Sequence, residues 1–270
     1  MVTSFYPIYF LATQIAGSNA DVTNLVPAGV EPHDYELTPQ DLGNIQGSNL
    51  LVVNGLLEPW FADVEENLKG ENVSILNLSQ QMQFLQATDK EESPSGKDPH
   101  IWLDPVRMIE MANLISAALI KIDPLNTEIY AANASLLDQK LADLDTEYKT
   151  GLSACSQKSF VTSHAAFAYL AQRYGIEQMP ISGLNPDQEP SAQDMKDIVD
   201  FVRTNDVKII FFESLVNPAL SETIANEVGA QTMVLNPIEG LTKEQTLAGG
   251  DYFTEMRNNL ANLKVALGCQ

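Results

Sequence analysis

The chain has 270 residues, with 15 Lys and Arg against 36 Asp and Glu and a formal net charge of −21. That charge repels nucleic acid and anionic lipid, so neither is an expected partner, and it suits a cationic ligand. With 44% hydrophobic and 19% charged residues, the chain can bury one large core or two ordinary ones and is not a disordered acidic segment.

No apolar run reaches the roughly 18 residues that a membrane-spanning helix needs. The opening MVTSFYPIYF reads as a strand of a folded domain and carries no signal peptide. Residues 2–6 and 22–27 are strand-like and bracket a helical stretch at 8–15. Thr38-Pro39 supplies an N-cap and a first-turn proline for a helix over 38–45, which leads to the buried strand Leu50–Val53. Residues 87–98 (ATDKEESPSGKD) are polar and read as an exposed loop. Asp104-Pro105 and Asp123-Pro124 are both helix starts, and 125–149 keeps apolar residues at helical spacing.

The second half repeats the first. Val161-Thr162-Ser163 echoes Val2-Thr3-Ser4, and ISGLNPDQEPSAQD at 181–194 parallels PAGVEPHDYELTPQD at 27–41 with one gap. Each stretch is followed by a helix and a buried strand, the second at 208–212. Strands alternating with helices predict parallel sheets with helical crossovers. The expected fold is therefore α/β: two similar lobes, each a small, mostly parallel sheet flanked by helices, joined by one long rigid helix. The boundaries read as 1–124 for the N-terminal lobe, 125–153 for the linking helix and 154–270 for the C-terminal lobe, with a cleft between the lobes.

The chain's three histidines all fall at loop mouths: His33 in GVEPHDYE, His100 in DPHIWLDP, and His164 at a strand-to-helix turn in VTSHAAF. Ligands of open α/β sheets bind beyond the carboxyl ends of strands, so these positions gather at one site. Three imidazoles suit Zn²⁺, which takes four ligands and here needs a carboxylate as the fourth. Glu189, Glu213, Glu239 and Asp251 are the candidates. Asp251 is preferred because Gly249 and Gly250 let the backbone approach closely, with an N-cap for Tyr252–Ala266 as its structural alternative. Glu239-Gly240, beside Asn236-Pro237, reads as a turn near the lobe interface. Trp60 and Trp102 read as packing residues. Cys155 and Cys269 form no CxxC motif, so they are either two buried thiols or one disulfide. The disulfide would imply an oxidising compartment, and closing so long a loop is worth ~4–5 kcal/mol on the chain-entropy model.

These residues carry a resemblance. TSFYPIYFLATQIAG, VPAGVEPHDYELTPQDL, DPHIWLDP, VTSHAAFAYLAQRYG, ISGLNPDQEPSAQDM, FFESLVNP and GDYFTEMRNNL run nearly end to end. Together they resemble the metal-binding solute-binding proteins of ABC importers, in particular the zinc-specific (ZnuA-like) branch of the cluster A-I family. The resemblance implies two α/β lobes bridged by a rigid helix, with metal held at their interface. It places the metal ligands at His33, His100, His164 and Asp251. A histidine at the third position points to zinc, because relatives resembling manganese importers carry Glu there. The cysteines resemble a disulfide in some relatives' second lobe. One departure is the loop 87–98: many zinc-branch members carry a long histidine-rich loop there, whereas here it is short and acidic, with Asp89, Glu91 and Glu92 as weak cation attractors.

The expected function is that of a monomeric extracytoplasmic or periplasmic binding protein, its leader removed, that captures Zn²⁺ and delivers it to an ABC-type permease. It is not an enzyme, and the zinc is cargo. Affinity is expected to weaken as pH falls through the imidazole range near ~6.5, because protonated histidines cannot ligate. The long helix is expected to limit the lobes to small tilts, leaving release to loop movement at the ligands. Nitrogen ligands favour Zn²⁺ or Cu²⁺ over Mn²⁺. The alternatives are a manganese or broad divalent-metal binder of the same family, and a zinc-dependent hydrolase. The hydrolase lacks an HExxH motif or an obvious general base. A secondary role in cell adhesion belongs to the same fold.

Overall fold

The computed structural model describes residues 1–87 and 95–270. In chain order its strands and α-helices are β1 (Val2–Thr3), α1 (Tyr6–Ala16), β2 (Thr23–Asn24), α2 (Pro39–Gln46), β3 (Leu50–Val53), α3 (Phe61–Asn67), β4 (Ser74–Asn77), α4 (Pro105–Ile122) and α5 (Thr127–Gly151). There follow β5 (Ser159–Thr162), α6 (Ala168–Tyr174), β6 (Glu177–Pro180), α7 (Ala192–Thr204), β7 (Ile209–Phe212), α8 (Ala219–Val228), β8 (Gln231–Val234), α9 (Lys243–Leu247) and α10 (Tyr252–Ala266). No described helix is long and apolar enough to cross a membrane.

Two compact units result, and neither is one stretch of chain. The first comprises Met1–Phe84, Pro105–Asp143 and Glu239–Asp251; the second comprises Leu85–Asp104, Leu144–Ile238 and Tyr252–Gln270. In the first unit four parallel strands lie in the order β2-β1-β3-β4. The central β3, LLVV, is buried along its whole length, as a strand covered on both faces by helices demands. Val2, Ile45, Leu51, Val53, Phe61 and Val64 pack into its core. In the second unit the order is β6-β5-β7-β8, again all parallel. Its core gathers Val161, Ile181, Ile198, Val202, Ile210 and Ile224.

The two sheets share one topology, and the duplication read from sequence reappears in detail. Thr38 caps α2 with a reciprocal capping box to Asp41, and Ser191 caps α7 with the same box to Asp194. Such boxes satisfy two of the orphan amide donors at a helix start. The strand expected at 2–6 stops at Thr3, because Pro7 sits in the first turn of α1 and fits a helix better than a sheet. Asp123-Pro124 opens a 3-10 turn, and the 25-residue α5 starts two residues later than expected, at Thr127. Cys155 and Cys269, separated by 114 residues, are joined in a disulfide. In the polar loop 87–98, Asp89, Glu91 and Glu92 lie outside the described residues, while its flanks pair at Gln86 and Lys97.

Candidate metal centre

Each unit holds a pair of potential ligands in its own loops. In the second unit, His164 follows β5 and is fully buried. Its carbonyl accepts hydrogen bonds from Thr162 Oγ1 at 2.7 Å and Gln178 Nε2 at 2.9 Å, which fixes the turn. Its ring Nδ1 lies 2.5 Å from Glu213 Oε1, at the end of β7, and Ser163 Oγ donates to the same oxygen. An ionised carboxylate accepts only, so this contact favours the tautomer with the hydrogen on Nδ1 and turns Nε2 toward His100.

His100 is held in the same way. Asp98 Oδ1 accepts from the His100 backbone N–H at 2.9 Å and from Nδ1 at 2.7 Å. The following 3-10 turn, Ile101–Leu103, buries Trp102 beside the ring at 5.2 Å between centroids. Trp102 is itself fixed at two points: its Nε1 donates to Pro237 O at 2.7 Å and its carbonyl accepts from Tyr252 Oη at 2.7 Å. DPHIW thus encodes a candidate ligand together with its clamp.

His100 Nε2 and His164 Nε2 face one another at 3.3 Å, and both Nδ1 hydrogens are committed to carboxylates. Two lone pairs at that distance repel unless a proton or a cation lies between them. Two nitrogens bound to one tetrahedral zinc at its usual bond length stand about 3.3–3.4 Å apart.

The first unit offers a second pair at the same spacing. His33 Nε2 lies 3.4 Å from Glu239 Oε1, with side chains 9% and 2% exposed. His33's backbone N–H donates to Glu31 Oε2 at 3.0 Å. Gly29, at φ +85°, adopts the left-handed region and donates its N–H to Leu241 O at 2.8 Å, which ties the His33 loop to the Glu239 segment.

Of the four candidate carboxylates, Glu189 is exposed and Glu213 is spent on His164. Glu239 stands beside His33, whereas Asp251 is half-buried at the head of α10. Gly249 and Gly250, read from sequence as room for a close approach, close α9 through N–H bonds to Thr246 O and Gln245 O. Glu239 drew a turn reading because Asn236-Pro237 precedes it. In sequence Glu239 is set between Ile238 and Leu241, an apolar context in which a buried carboxylate needs a partner.

Comparison with known proteins agrees with this chemistry. The family model described as zinc-uptake complex component A, periplasmic, matches residues 1–266. The high-affinity zinc uptake system protein ZnuA of Bacillus subtilis (strain 168) is 39% identical over 277 residues, covering 99% of this chain and 87% of that protein. The zinc-binding lipoprotein AdcA of Streptococcus pneumoniae is 39% identical over 274 residues, and there the chain spans only 55% of its relative. Among solved structures, the Zn(II)-bound ZnuA-like domain of S. pneumoniae AdcA superposes with a TM-score of 0.85 at 40% identity, covering 98% of this chain and 97% of that one. A mutant of the laminin-binding adhesin Lmb from Streptococcus agalactiae superposes with a TM-score of 0.88 at 34% identity, covering 98% of each chain. On this match, nearly end to end, the chain belongs to the zinc-uptake complex component A family.

Proposed function

We propose that the chain is the zinc-capturing component of an ABC-type importer and holds one Zn²⁺ through His33, His100, His164 and Glu239. The observation that carries this reading is the His100–His164 pair, whose Nε2 atoms stand 3.3 Å apart while each Nδ1 bonds to a buried carboxylate. The His33–Glu239 pair offers a nitrogen and an oxygen at 3.4 Å, the remaining donors of the proposed N3O set. Three imidazoles favour zinc over manganese, which prefers more carboxylate. Asp251 is the competing acidic ligand. The family binds metal as cargo and is not an enzyme family. Capture takes place outside the cytoplasmic membrane, followed by delivery to a membrane permease. The family's periplasmic description, the lipoprotein relative and the Cys155–Cys269 disulfide support that placement.

Calorimetric titration of Zn²⁺ and Mn²⁺ into chelator-stripped protein at pH 7.5 tests the reading. One tight Zn²⁺ site and weak Mn²⁺ binding are expected. His164→Ala should lose at least a hundredfold in Zn²⁺ affinity and Glu239→Gln at least tenfold, with Asp251→Asn near wild type. Equal or tighter Mn²⁺ binding would overturn the cargo. A large loss in Asp251→Asn with none in Glu239→Gln would exchange the fourth ligand.

A further inference from the structure

Among the described residues two non-glycine positions have positive φ, Asp206 at 53° and Ile238 at 58°. Asp206 lies in a turn beyond α7, where a short polar side chain tolerates the left-handed region. Ile238 is different: it is β-branched and fully buried, so its Cβ makes this conformation unfavourable. Such a residue persists only where its surroundings over-determine it.

Those surroundings are visible. Asn236 Oδ1 accepts the Ile238 N–H at 2.8 Å. Asn259, on α10, grips Asn236 from both sides: its Oδ1 accepts the Asn236 N–H at 2.8 Å and its Nδ2 donates to Asn236 O at 2.6 Å. Trp102 Nε1 holds Pro237 O at 2.7 Å. Asn236 and Asn259 are each 1% exposed and Trp102 is 0% exposed, so the polar groups of this clamp find their partners inside the protein. An ordinary turn would place glycine or asparagine at the left-handed position and need no such clamp. The residue that follows is Glu239, the carboxylate beside His33.

We infer that Asn236, Asn259 and Trp102 are positioning residues that force Ile238 into the left-handed region in order to aim Glu239 at the metal, and that this clamp governs how firmly zinc is held. The inference rests on the proposed role of Glu239 as a zinc ligand. Trp102 also packs against His100, but the Asn236 bond acts on backbone direction alone, so the effect of Asn236 on zinc passes through that carboxylate. Without the Ile238 bond the peptide relaxes to negative φ and Glu239 swings away from His33.

The test combines Zn²⁺ titration with amide hydrogen exchange on metal-free protein, using wild type, Asn236→Ala, Asn236→Ser, Glu239→Gln and the double variant Asn236→Ala/Glu239→Gln. Asn236→Ala is expected to lose about tenfold in Zn²⁺ affinity, and Asn236→Ser to recover most of it through its hydroxyl. The double variant is expected to bind no more weakly than Glu239→Gln alone. In the metal-free protein, exchange at 238–241 is expected to rise at least tenfold in Asn236→Ala, with the strands of both sheets unchanged. Wild-type affinity in Asn236→Ala, multiplied losses in the double variant, or unchanged exchange at 238–241 would each overturn the clamp. Failure of wild type to bind zinc overturns the proposed function instead, and the exchange result then decides the clamp by itself. If Asn236→Ala does not fold, Asn259→Asp, which keeps the acceptor and loses the donor, carries the same comparisons.

Discussion

Glu213 and Asp98 show how much of this site lies one step behind the proposed ligands. Each buried carboxylate holds a histidine Nδ1 and leaves Nε2 as a base aimed at a fixed point. The duplicated frame shows that this is a specialised use of a shared scaffold. Where the second unit has Ser163-His164 after β5 and Glu213 after β7, the first has Ser4-Phe5 after β1 and Asn54 after β3. There Asn54 serves its own loop, its Oδ1 accepting the Leu56 N–H at 3.2 Å. Glu213→Gln is therefore expected to leave the fold intact and weaken Zn²⁺ binding about 10–100-fold, because a neutral acceptor raises the imidazole's basicity less. Titration calorimetry checks the affinity, and an unchanged value would reduce Glu213 to a packing role. As candidates the histidines were legible, since three in the whole chain, each at a loop mouth, leave little to choose among. For the acidic position four carboxylates were candidates, and what favours Glu239 over Asp251 is its place beside His33.

At the level of elements, local chemistry predicts most starts and stops. Proline after Thr38 and Asp104, and the boxes at Thr38 and Ser191, place helix N-termini within a residue or two because capping depends on neighbours in sequence. Element length depends on tertiary pairing, which is why β1 is two residues long where five were expected. The C-terminal part of α5 illustrates tertiary control of another kind. Asp145 is only 6% exposed, and there Lys149 Nζ lies 2.7 Å from Oδ2 and Arg173 Nε 2.6 Å from Oδ1. Burial pushes this carboxyl up, but Arg173 and Lys149 more than offset it and hold its pKa below the usual carboxylate value. A depressed folded-state pKa means stabilisation that is present above the unfolded value near ~3.9 and lost as pH falls through the folded one. Asp145→Asn is thus expected to cost roughly 1–3 kcal/mol at pH 7, with the deficit shrinking toward pH 3. Thermal unfolding across that range checks it, and a pH-independent deficit would assign the effect to packing.

For the whole molecule, the Cys155–Cys269 disulfide closes a loop with a separation of 114 residues in the second unit. On the chain-entropy model, removing it in a Cys155→Ala/Cys269→Ala variant is expected to cost up to ~4–5 kcal/mol. The backbone bonds Gln157 N–H to Leu267 O and Gln270 N–H to Ala154 O hold the C-terminal segment in place without it. Urea unfolding of the two proteins checks the loss. Because both cysteines belong to the second unit, zinc affinity measured in the same variant is expected to stay within about threefold of wild type.

Sequence by itself determined the duplicated parallel α/β plan, the helix caps and the three histidines, because periodicity, capping and a scarce residue type are written locally. Tertiary structure alone decided which carboxylates serve the histidines, that Trp102 and Asn259 close on the Asn236–Ile238 segment, and that an isoleucine there is left-handed. Those features depend on where side chains from separate strand exits and helices converge. A one-dimensional pattern does not encode that convergence until the strands are paired.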